Sequence, residues 1–167
     1  MMVNPIFYDS DKEAIAALEA EGRRLKYIAT KVWRQYLSSY QPTQYKRTRD
    51  AQKSIKLTSV ERDGINGWMI KVTFVDELAW HDSVLKGSQP QAHAIMMISQ
   101  GWNQSRSTTK LTQRTGRQIY RFTYYEGFDY IDKVIKEFNR GNKSGVRLEV
   151  QWKGKPFDPN AKNDFTR

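Results

Sequence analysis

The chain has no cysteine and only two histidines, His81 and His93. The missing thiols exclude disulfides, thiolate metal ligands and cysteine nucleophiles, and suit a protein made in a reducing compartment. Two histidines without a His-Glu-x-x-His spacing make a poor zinc set. Acids are scarce as well, 18 against 28 basic residues, so the net charge is +10. No apolar run approaches the roughly 20 residues that cross a bilayer, and mean hydropathy is -0.77; no membrane partner is expected. The opening Met1-Met2-Val3-Asn4-Pro5 lacks a basic stretch followed by an apolar core, so it does not read as a secretory signal. A phosphate-binding Walker loop, a dinucleotide glycine fingerprint and a Gly-x-Ser-x-Gly elbow are all missing. No cofactor, no metal and no enzymatic activity are expected.

What is present is aromatic and basic. Aromatic residues make up 13% and hydrophobic residues 38% of 167 positions, enough for a packed core in one domain. Residues 1–152 read as that domain and 153–167 as a polar tail. A charge of +10 points to an anionic partner, nucleic acid, an acidic protein surface or a membrane face, with ordinary solubilising surface lysine the alternative.

Hydrophobic spacing orders the elements. Residues 10–40 read as a helix, opened by a Ser10/Glu13 capping box and carrying Ile15, Leu18, Leu25, Ile28, Val32, Trp33, Tyr36 and Leu37 on one face. Pro42 is the expected stop. Residues 53–61 and 68–75 read as a β-hairpin around Asp63-Gly64-Ile65-Asn66-Gly67, with both glycines free to take positive φ. Residues 76–90 read as a loop. Residues 92–99 read as a strand, with a helix the alternative, because a short continuous apolar run fits either. Residues 103–118 read as an exposed, mobile basic loop, and 118–125 as a strand. Residues 128–139 read as a second helix ended by Gly141 in the left-handed conformation. Residues 146–152 alternate cleanly and read as the last strand. The expected fold is α+β: a mostly antiparallel sheet of four to five strands packed against a long N-terminal helix and a second helix in the C-terminal half. Its open sheet edges invite pairing with a neighbouring subunit.

The candidate chemistry is weak. His81 precedes Asp82, but neighbours on an extended chain point apart, so the pair does not form a catalytic couple. Both histidines read as loop or interface residues. Glu126, Asp129 and Asp132 open the second helix, where its dipole accounts for them. A metal-dependent nuclease needs acids on strands, and only Asp76 follows one. Two basic groups stand out instead. Arg47, Arg49, Lys53 and Lys56 lie beside Tyr40 and Tyr45, and Arg106, Lys110, Arg114 and Arg117 occupy an acid-free stretch. Basic residues interleaved with aromatics suit phosphates and bases. The alternative is that the tyrosines pack the helix-to-sheet crossing and the arginines meet acids of a neighbouring subunit. Trp33, Trp68 and Trp152 sit on apolar faces and read as core; Trp80 and Trp102 fall in loops and read as interface or core.

One segment carries more. Tyr40, Pro42, Tyr45, Arg47, Thr48, Ser54 and Ile55 follow one another between the long helix and the first strand. Val72-Thr73-Phe74, Ala79-Trp80-His81 and Tyr124-Tyr125-Glu126-Gly127-Phe128 follow in order. This series resembles the head-tail joining and tail-completion (neck) proteins of long-tailed bacteriophages. The resemblance spans roughly residues 10–150. It departs in having Arg49 where many members have glycine, and in ending on a strand and a polar tail. Tail completion, tail terminator and head-proximal stopper all stay open. The resemblance implies a virion structural protein, made in the bacterial host cytoplasm, that forms a hexameric or dodecameric ring at the head-tail interface. Its neighbours would be portal or adaptor and tail proteins, with double-stranded DNA passing through the channel. The implied contact residues are Tyr40, Pro42, Tyr45, Arg47, Thr48, Arg49, Trp80, His81, Trp102, Arg106, Lys110, Arg114 and Arg117. The other reading is a basic nucleic-acid-binding protein of phage origin.

Overall fold

The computed structural model describes residues 8–39, 50–65, 67–81, 92–107, 120–125, 127–152 and 155–157. Helix α1 (Asp11–Ser38) begins where expected. The Ser10 hydroxyl accepts the Glu13 N–H at 3.3 Å, and Asp11 and Glu13 sit at the positive end of the dipole. At its end the hydroxyls of Ser38 and Ser39 donate to the Gln35 and Tyr36 carbonyls at 2.8 and 2.7 Å, and the Ser39 N–H bonds the same two carbonyls. The helix thus carries its own stop; Pro42 lies outside the described residues. Ile28, Ala29, Val32 and Trp33 form its buried stripe.

The hairpin pairs as expected at both ends but is broken in the middle. Strands β1 (Ile55–Leu57) and β4 (Val72–Phe74) form its base, and β2 (Glu61–Asp63) and β3 (Gly67–Met69) its tip. The register runs Ile55↔Phe74 at the base and Glu61↔Met69 at the tip. The first arm therefore carries one extra residue between the two ladders, which is a bulge. Thr58 bridges it, its N–H donating to the Lys71 carbonyl and its hydroxyl accepting the Lys71 N–H. Only Gly64 takes positive φ, +68°. Gly67 is needed for space, since a Cβ there would strike the Asp63 carbonyl. The hairpin lies on α1 at Gly22, where a Cβ would stand 2.8 Å from Ile70 Cδ1 and 3.0 Å from Leu57 Cδ1.

The expected single sheet of four to five strands is not what forms. The described strands make five separate two-stranded antiparallel ladders. Besides β1–β4 and β2–β3 these are β5 (Trp80–His81) with β6 (Ala92–His93), β7 (Trp102–Ser107) with β8 (Tyr120–Tyr125), and β9 (Gln151–Trp152) with β10 (Lys155–Pro156). Residues 146–150 do alternate between exposed and half-buried, and Leu148 and Val150 pack on the core. They join no ladder among the described residues, so only the last two residues of the expected strand are paired. Alternation marks a chain with one face buried; it does not supply a partner. Phe157 returns to the core behind it, its N–H donating to the Val150 carbonyl at 2.8 Å.

Two short helices, α2 (Asp50–Lys53) and α3 (Asp76–Ala79), flank the hairpin, the second within the expected loop. The apolar run read as a strand is mostly helix α4 (Ala94–Gln100). Ile95, Met96 and Ser99 are buried at helical spacing, and the Ser99 hydroxyl donates to the Ile95 carbonyl one turn back. Helix α5 (Tyr130–Gly141) follows, and the amides of Phe128 and Asp129 close off the α4 carbonyls of Ile98 and Ser99. Asp129 sits at φ 53°, a left-handed conformation that aspartate tolerates. Gly141 is not the expected left-handed stop. It is the last helical residue, and the positive φ falls on Gly145. A Cβ at 141 would meet the end of the Arg24 side chain, its Nη1 2.8 Å away.

The core lies between α1 and α5. Tyr130 is fully buried, its ring edge-on to Trp33 at 5.6 Å and 89°, its hydroxyl donating to the Ala29 carbonyl at 3.0 Å. Phe74 extends the aromatic cluster from β4, 6.3 Å from Tyr130 and 6.0 Å from His93. Each such side chain contributes about 1.5–3 kcal/mol by burial.

Candidate functional site

The sequence-predicted site residues divide into three groups. Tyr40, Pro42, Tyr45, Arg47, Thr48, Arg49, Lys110, Arg114 and Arg117 lie outside the described residues. Trp80 and His81 are not in a loop, as expected, but form β5, with Trp80 opposite His93 and His81 opposite Ala92. Trp102 and Arg106 lie in β7, which occupies the start of the expected basic loop; Trp102 is opposite Tyr125 and Arg106 opposite Arg121. The two ladders are joined through α4 and Gly101.

His93 is core rather than loop or interface. It is 2% exposed, and its ring stands edge-on to Trp152 at 4.8 Å. Trp68, expected in the core, is not core: it is half-buried, donates its Nε1–H to Asp11 at 3.1 Å, and carries the Arg62 guanidinium 4.0 Å above its ring. Of the first basic cluster, Lys53 pairs with Asp50 at 3.1 Å and Lys56 is exposed on β1.

Sequence reading missed a basic groove on α1. Arg23, Lys26, Tyr27, Lys31 and Arg34 recur at three- and four-residue spacing opposite the buried stripe, and Leu57 of β1 forms the facing wall. The hollow is shallow, about 630 Å³, and no carboxylate lines it among the described residues. Tyr27, which also lines it, is 68% exposed. Two of the cations are held at the margins: Arg23 by Glu19 at 3.5 Å and Lys31 by Glu137 at 3.3 Å. Among the described residues Lys26 and Arg34 have no ion pair. Cations at this spacing look like an ordinary solvated helix face; only the Leu57 wall, distant in sequence, makes the face concave.

Glu137 links the groove to α5. The hydrogen bond from Lys31 holds its carboxyl below the usual glutamate range, with Arg140 at 2.5 Å adding to the effect. A carboxyl whose folded value is lowered favours the fold above its unfolded value, and that contribution is lost as pH falls through the folded value. In a carboxyl-carbon NMR titration Glu137 is expected to have a midpoint below that of an ordinary glutamate, and Lys31→Ala should move it back up. A midpoint untouched by Lys31→Ala would refute the assignment.

Among the described residues no group of three His, Asp or Glu side chains is placed to hold a metal ion. No helix of the described residues is long and apolar enough to cross a membrane. No family model matches the chain, and neither does any curated protein or any solved structure.

Proposed function

We propose that this chain is a structural component of a long-tailed phage neck, a tail-completion or head-tail connector protein whose copies assemble into a ring between portal and tail tube. Its work is assembly and not turnover. The observation that carries the reading is the state of its strands: five ladders of two strands, none extended by a third among the described residues. An isolated two-stranded ladder is marginal in water, and each exposed edge offers unpaired backbone groups to another chain. Strands supplied by neighbouring copies would complete these ladders, and a closed ring would leave no edge unused. The order of motifs from Tyr40 to Phe128 supports the same reading.

Light scattering on the purified chain tests this. The expected mass is six or twelve times the 19.6 kDa of one chain, changing little between low and moderate salt, because backbone pairing is not screened as charges are. A monomer at all concentrations, still monomeric when mixed with portal or tail-tube proteins of tailed phages, would sink the reading.

A further inference from the structure

We infer that the groove on α1 binds single-stranded nucleic acid, with phosphates on the cation row and one base stacked on Tyr27. The inference does not rest on the ring reading and stands or falls separately.

The groove has the two features such a ligand needs. Between Arg23 and Arg34 the helix rises about 17 Å, and the cations recur about once per turn along it. A phosphodiester strand presents a negative charge at every residue, and each neutralised phosphate releases counterions. Lys26 and Arg34, which have no acid partner among the described residues, are open to it directly, and Arg23 and Lys31 reach it by exchanging Glu19 and Glu137 for phosphates. Charge by itself would equally suit an acidic peptide or a solvated face. Tyr27 makes the difference. Single exposed aromatics are common on protein surfaces, but this one lies in a hollow lined by four cations and, among the described residues, by no carboxylate. An acidic peptide gains little from a flat ring at that position, whereas every base has a face that stacks on one. Leu57 closes the hollow on the β1 side and keeps the strand along the helix rather than across it.

The test is fluorescence anisotropy with the full chain and a labelled, mixed-sequence single strand of about 15 nucleotides, over a series of salt concentrations. Contact with four phosphates predicts a slope of log K on log salt near about −3. Lys26→Glu combined with Arg34→Glu is expected to weaken binding by at least about tenfold and to flatten the slope by about 1.4. Tyr27→Ala is expected to weaken binding by about fivefold or more with the slope unchanged, a split that a general loss of structure would not produce. All three positions are exposed, and circular dichroism checks that the variants remain folded. Full affinity in both variants would overturn the inference. So would equal binding of poly-glutamate of similar length, which would assign the groove to an acidic protein, or tighter binding of duplex than of single strand.

Discussion

Tyr130→Ala is expected to cost about 3–5 kcal/mol, the range for removing a large buried aromatic. In a fold stabilised by roughly 5–15 kcal/mol that loss is enough to leave much of the chain unfolded at moderate temperature. Tyr130 ties three elements of the core together. It meets Trp33 of α1 edge-on, faces Phe74 of β4, opens α5, and donates to the α1 backbone at Ala29. Truncation removes the ring that three elements share, and a core with two helices and short ladders has little material with which to refill the space. Tyr130→Phe separates the hydroxyl from the ring. It keeps the packing and is expected to cost only about 1 kcal/mol, the net worth of one buried hydrogen bond. The two variants also differ in alkali from the parent. Burial raises the phenol above its ordinary value, which is near about 10. A raised folded value means that the neutral phenol stabilises the fold below that pH, and that this stability is lost as pH climbs further. Urea titrations at rising pH should show the parent weakening above about pH 10 more steeply than Tyr130→Phe. A Tyr130→Ala protein within 1 kcal/mol of the parent would mean that the core is elsewhere.

The helices carry their own signatures in the sequence, and this is why they were legible. In α1 a serine cap and a stripe at 3.6-residue spacing act locally, and no distant residue is needed to form either. The apolar stripe of α5 is local in the same way. The hairpin ends were legible because Gly64 and the alternation around it are local too. The rest depended on distant partners. The alternating residues 146–150 have one buried face, as expected, yet no ladder forms on them among the described residues. Ile95 to Ile98 are equally apolar as strand or helix. A signal that favours helix was available in Gly101, which follows the run and takes φ 78°, a common way for a helix to end. The α1 groove was invisible for the opposite reason. Its cations were in plain view, but the wall that turns a charged face into a hollow comes from Leu57 on another element. Five ladders in place of one sheet is a tertiary outcome that strand propensity does not encode.

Arg24→Ala should be the most damaging change outside the aromatic core, at about 2–3 kcal/mol, the scale of a charge-assisted hydrogen bond together with a half-buried acid left unpaired. Arg24 holds three things at once. It pairs with Glu21 at 2.6 Å, donates to the Phe138 carbonyl at 3.0 Å, and lies 4.4 Å over the Phe138 ring. The pair is far from fully exposed, 27% for the arginine and 14% for the glutamate, so solvent screens it less than an ordinary surface pair. The guanidinium also meets the negative end of the α5 dipole, taking the place of the missing left-handed glycine cap. Lysine should not rescue, because one ammonium cannot reproduce the planar fork that serves carboxylate and carbonyl together. Glu21→Gln in both backgrounds measures the coupling between the two side chains. Gly141 supplies a second reading of the same contact. Gly141→Ala should be close to neutral in the parent, where its methyl group meets the guanidinium. In the Arg24→Ala background it should be stabilising, by up to about 1 kcal/mol of helix propensity. If Arg24→Ala stays within about 0.5 kcal/mol of the parent, as surface substitutions usually do, or if Gly141→Ala has the same effect in both backgrounds, Arg24 is not the cap that joins α1 to the end of α5.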